Sequence, residues 1–89
     1  MITYAEAAEL VFEALKDDWE CGSLFVDPEG FENEELYLVP YGAREFLIEG
    51  DELFEIEGAP VALVNKFTSE ISFVAYLSNR ELIESLWPT

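Results

Sequence analysis

The chain of 89 residues contains no histidine, a single cysteine, and only four lysines and arginines together. Without histidine, the commonest general base and the commonest metal ligand are both missing. Cys21 has no histidine to activate it and no second cysteine to bridge to, so neither a Cys–His nucleophile nor an intrachain disulfide can form. A lone cysteine of this kind reads as a small buried hydrophobe. The five glycines are scattered singly, which leaves no loop to cradle a phosphate. No serine sits in a nucleophile-elbow context, and the calcium-loop pattern is missing. No apolar run approaches the roughly 18 residues needed to span a bilayer. Met1-Ile2-Thr3-Tyr4 carries neither the basic nor the apolar stretch of a signal peptide. These shortages predict a cytoplasmic, non-enzymatic chain that requires no metal or other cofactor.

Acid is what the chain has in excess. Twenty aspartates and glutamates give a net charge of −16. A magnitude of roughly 2–8 already keeps a small domain soluble, and more than that costs stability through self-repulsion. Yet the chain is 51% hydrophobic and 15% aromatic, unlike an acidic disordered tail. Its length suits a single domain over residues 1–89. Anionic lipid and nucleic acid would both be repelled, so neither a membrane nor direct nucleic-acid binding is expected. A protein with a basic surface is the partner that would offset the repulsion.

Thr3-Tyr4-Ala5-Glu6 matches a capping box. Ala7, Leu10, Val11, Ala14 and Leu15 follow the spacing of one buried helical face, predicting a helix from about Tyr4 to Lys16. Ser78-Asn79-Arg80-Glu81 reads as a second capping box, with Leu77 and Leu82 as a hydrophobic staple and Pro88 as the stop of a short helix. Between them lie short strands: Leu24–Val26, a turn at Asp27-Pro28-Glu29-Gly30, Leu36–Val39 ended by Pro40, Val61–Val64, and Ile71–Tyr76 after a hairpin connection. Phe46-Leu47-Ile48 is ambiguous between strand and helical turn. The order predicts an α+β fold: an N-terminal helix on a mostly antiparallel sheet of about four strands, with a short C-terminal helix. Leu10, Val11, Leu15, Val61, Leu63, Ile71 and Phe73 are the expected core.

The acids gather in two stretches. Glu29, Glu32, Glu34 and Glu35 surround Phe31, while Glu45, Glu49, Asp51, Glu52, Glu55 and Glu57 are interleaved with Phe46, Leu53, Phe54 and Ile56. Any one of them reads most simply as a solvated side chain. Taken together they exceed what four cations can neutralise, and a negative field of this size speeds encounter with a basic partner. Glu32, Glu34, Glu35, Glu49, Asp51, Glu52, Phe54, Glu55 and Glu57 are the candidate partner-binding residues. Phe31, Tyr37, Tyr41 and Phe54 are candidate aromatic anchors, although a small sheet needs most of its aromatics inside.

Several motifs also occur in a familiar order. Ile2-Thr3-Tyr4-Ala5-Glu6-Ala7 opens the helix, Arg44-Glu45-Phe46-Leu47-Ile48-Glu49-Gly50-Asp51 follows the first strands, and Gly58-Ala59-Pro60 leads into the valine-rich Val61-Ala62-Leu63-Val64. In these the chain resembles the immunity protein 35 (YrhB-like) family of bacterial polymorphic toxin systems. Two departures stand out: Ser69 occupies the glycine position of that family's Thr-Gly-Glu turn, which leaves the hairpin geometry open, and no tryptophan accompanies Tyr37. The resemblance implies an antitoxin-like protein that binds and blocks a cognate toxin. Two rivals fit the charge as well. A DNA mimic would space its carboxylates like backbone phosphates, and an acidic secretion chaperone would dimerise and hold its client partly unfolded.

Unpaired acids make a direct prediction about salt. Screening weakens their repulsion, so the melting temperature should rise as NaCl increases from about 10 mM to about 0.3 M. A melting temperature that fell steadily over that range would overturn the unpaired acidic surface.

Overall fold

In the computed structural model, which describes residues 1–55 and 58–89, α1 (Tyr4–Leu15) starts at the first capping box. The Glu6 N–H donates to the Thr3 hydroxyl oxygen, and the Thr3 N–H donates back to Glu6 Oε1 at 3.1 Å. Ala7 and Val11 are completely buried, with Leu10 and Leu15 packed at their margins. A methyl at position 7 lets the helix backbone lie close to the sheet.

Beneath it the chain forms β1 (Leu24–Val26), β2 (Phe31–Glu32), β3 (Leu36–Val39), β4 (Tyr41–Ala43), α2 (Arg44–Leu47), β5 (Val61–Asn65), β6 (Ile71–Val74), α3 (Arg80–Glu84) and β7 (Trp87–Pro88). One antiparallel sheet has the order β6-β5-β3-β2-β7, and β1 pairs with β4 in a separate two-stranded ladder. The fold is thus the expected α+β arrangement, with five strands in the main sheet and the extra ladder.

Register decides which side chains meet. Tyr37 lies opposite Val64 and Val39 opposite Ala62, so all four share the face under α1 and form the core with Ala7 and Val11. Leu38 lies opposite both Leu63 and Phe31 on the other face. There Phe31, Leu38 and Val61 line an apolar groove with Tyr76, Ile83 and Leu86.

Several expectations need correcting. β2, β4 and β7 are two or three residues long, too short to show alternation in the sequence. Trp87 and Pro88 pair with Glu32 and Phe31 rather than merely ending a helix. Next to this pairing Gly30 is obligatory, because a Cβ there would collide with the Tyr4 ring and the Leu38 carbonyl. The second capping box does not form: α3 starts at Arg80 without a side-chain cap, after a 3₁₀ turn at Leu77–Asn79. The Asn79 amide instead donates back to the Ala75 carbonyl, and Leu77, 83% exposed, makes no staple. Strand β6 stops at Val74, two residues short of the expected end.

Phe73 is also misplaced, at 41% exposed rather than in the core. It lies on the edge strand, where Ile71 packs against the core and the Phe73 ring meets Tyr41 edge-to-face. Val11 and Leu63 are buried, and Leu10, Leu15, Val61 and Ile71 are partly buried. Phe46 and Leu47 belong to the helical turn α2. In the β5–β6 hairpin Ser69 takes φ +65°, the left-handed conformation that favours glycine. Asn65 steadies the turn by accepting from the Phe67 and Thr68 N–H groups.

One residue on the helix-side face is a cation. Lys66 follows β5 and is 5% exposed. Its ammonium donates to Glu32 Oε1 at 2.7 Å and sits 4.6 Å from the centre of the Tyr37 ring. Its main chain is used as well: its N–H donates to the Glu35 carbonyl, and its own carbonyl accepts from the Ile2 N–H.

The two ends of this pair differ in their access to water, 6% for the lysine side chain and 25% for the glutamate. Glu32→Leu strands a buried ammonium and should cost about 3–5 kcal/mol. Lys66→Met leaves a carboxylate that can reach water and should cost less, and the double variant should recover most of the loss. Urea unfolding of the four-member cycle measures this; equal, additive losses would show that the pair is not coupled.

Candidate partner-binding surface

The two acidic stretches are held by different parts of the fold. Around β2, Glu32 is already committed to Lys66. Glu34 and Glu35 are exposed on the tight β2–β3 turn, where Asn33 Oδ1 accepts from the Glu35 and Leu36 N–H groups at 2.8 and 2.7 Å. This turn is tied through Lys66 to Ile2, at the start of α1.

The central stretch sits instead beside the loop that follows α1. α2 ends in a reversal in which the Gly50 N–H donates to the Phe46 carbonyl and the Asp51 N–H to the Glu45 carbonyl. Asp51 then caps a 3₁₀ turn at Glu52–Phe54, its Oδ1 accepting from the Leu53 N–H at 3.1 Å. Phe54 is half-buried against Gly22, and its carbonyl accepts from the Cys21 thiol. Gly22 itself has φ +65°, and a Cβ there would collide with Glu45 and Phe54. Phe54 therefore fastens this segment to the loop after α1.

Glu49, Asp51, Glu52 and Glu55 are all exposed, whereas Glu57 lies outside the described residues. The stretch also displays apolar side chains that were not among the candidate contacts: Leu53 is 89% exposed and Ile48 56%. The available signal was the mixing of acids and large aliphatics over residues 45–55 without the period of a helix or a strand. Among the aromatic candidates Tyr37 is core, Tyr41 is partly buried and donates to the Pro60 carbonyl, and Phe31 is 42% exposed beside the apolar groove. Burial pushes the Tyr41 phenol up and, with the help of Asp27, the Tyr4 phenol up as well.

What the surface offers is hydrogen-bond acceptors and negative charge around a few exposed aliphatics. Among the described residues, no three acidic or cysteine side chains come together to hold a metal ion. Among them, too, no helix is long and apolar enough to cross a membrane.

Glu45 has a structural duty distinct from its neighbours'. Both of its carboxylate oxygens accept from the Ser23 N–H, at 3.1 and 2.9 Å. That bond first, then Glu45's own N–H and the Ser23 hydroxyl, hold the carboxyl below its usual range. A carboxyl depressed on folding stabilises the fold in full above its unfolded value, near 4.5, and that contribution is lost as pH falls through the lower folded value. Glu45→Gln should therefore remove part of the acid-side loss of stability. Urea midpoints for the two proteins between about pH 3 and 6 test this; curves offset by a constant amount at every pH would refute it.

No family model, no curated protein and no solved structure matches the chain.

Proposed function

We propose that this chain is an immunity-type inhibitor that binds a basic protein toxin through its acidic surface and blocks it without catalysis, acting in the cytoplasm. One observation carries the reading. Among the described residues only Glu13, Glu32 and Glu84 are held by a cation, through Lys16, Lys66 and Arg80. The other described acids repel one another in the free protein and gain partners when a basic surface arrives. The central segment is the preferred contact, because the exposed Glu49, Asp51, Glu52 and Glu55 lie close in sequence to the exposed Ile48 and Leu53 there. Desolvated aliphatics supply holding energy, while rim charges mainly set the rate of encounter. The resemblance to the immunity protein 35 family supports the same role through short motifs, and the charge is the weightier support.

Two measurements test the proposal. Expressed in its native cells, the chain should co-purify with a basic protein that halts growth when expressed alone and is silenced by co-expression. A bound protein that is harmless when expressed alone would overturn the inhibitor role. With the toxin in hand, Asp51→Lys/Glu55→Lys should slow association at least about tenfold at low salt while leaving the fold intact. Leu53→Ala should act mainly on dissociation. Unchanged association for the charge reversal, together with no salt dependence in the parent, would exclude both this segment and electrostatic steering.

A further inference from the structure

α1 and the tip of the β5–β6 hairpin leave a groove between them, of about 320 Å³. Its lining is Ile2, Glu6, Glu9, Leu10, Glu13 and Ser69. Ile2 and Leu10 are partly buried and packed against the core, so they form an apolar floor. Glu6, Glu9 and Glu13 are exposed and stand along the helix side, as their spacing on α1 requires.

The carboxylates are not equivalent. Glu6 Oε1 already accepts from the Thr3 N–H and hydroxyl, and Glu13 is paired with Lys16 at 2.7 Å. The Glu9 carboxylate has neither a hydrogen bond nor an ion pair among the described residues. The three do not converge on a point where a metal ion could sit. An apolar floor beside one uncommitted carboxylate complements a side chain that is itself divided, with a methylene stem and a cationic head. The protein contains one internal instance of such recognition: Lys66 lies against Tyr37 and delivers its ammonium to Glu32. A second copy of the chain is a poor occupant, since both would carry −16.

We infer that this groove receives a lysine or arginine side chain projecting from a basic protein partner, with its methylenes on Ile2 and Leu10 and its cation at Glu9. The inference rests on the basic-partner reading and adds to it a second contact, along the side of α1 from Ile2 to Glu13 and lined by none of the residues of the central acidic segment. Two separated contacts fix the orientation of a partner, which one charged segment cannot do.

A blocked peptide of alternating lysine and alanine is a suitable probe, followed by amide and methyl NMR shifts at about 0.15 M salt. Shifts should concentrate on Ile2, Glu9, Leu10 and Ser69. Glu9→Gln, an exposed change expected to leave the melting temperature unaltered, should weaken binding about three- to fivefold. Glu9→Lys should abolish those shifts. The groove is refuted if Glu9→Gln titrates like the parent, or if calcium chloride alone reproduces the pattern. Asp51→Lys/Glu55→Lys, titrated alongside, separates the two readings. If it weakens the peptide while Glu9→Gln does not, the groove fails and the basic-partner reading survives. If neither changes binding, both fall.

Discussion

The buried ammonium of Lys66 is the constraint on which much of the fold turns. A cation 5% exposed on the core face of a sheet must have its charge met, and Glu32 meets it from β2 while Tyr37 lies alongside from β3. That requirement fixes the short strand β2 next to β3, although two residues of strand have little pairing strength of their own. The backbone of Lys66 extends the effect by joining Glu35 on one side and Ile2 on the other. Tyr37 reinforces the last link, since its hydroxyl donates to the Ile2 carbonyl. One lysine thus ties together the start of α1, the β2–β3 turn and the end of β5.

Seen this way, the scarcity of cations is selective. Lys66 is spent inside, Lys16 and Arg80 are engaged with glutamates three and four residues away along the chain, and Arg44 has no ion pair among the described residues. The outward field is therefore almost wholly negative. It is also unevenly anchored: Glu45 and Asp51 serve the main chain as acceptors, whereas Glu49, Glu52 and Glu55 are simply presented. The stretch thus combines carboxylates tied to the main chain with carboxylates free to turn toward solvent.

How much of this the sequence disclosed follows from the length of each signal. α1 was legible because its capping box and buried stripe reinforce each other over twelve residues. β3 and β5 were legible because two four-residue apolar runs, Leu36–Val39 and Val61–Val64, are bounded by Pro40 and Pro60. β2, β4 and β7 were not, because their pairing is set by distant partners, and for β2 also by Lys66, rather than by local preference. The second capping box failed for a related reason: Ser78 falls within a 3₁₀ turn that delays the helix to Arg80. Phe73 was misread because alternation shows which residues share a face but not how far a helix covers that face. At the acidic surface, composition disclosed the excess of carboxylates, but the exposure of Leu53 and Ile48 is a property of the folded turn.

The edge strand β6 carries one more implication. Ile71-Ser72-Phe73-Val74 holds no charge, no proline and no bulge that would deter a neighbouring chain from adding to it. Natural edges usually carry such a guard locally. Here the guard is the whole molecule, because two copies bearing −16 each cannot approach closely at neutral pH. That protection is titratable: near the isoelectric point of about 4.1 it disappears, and the same strand becomes the seam along which the protein would self-associate.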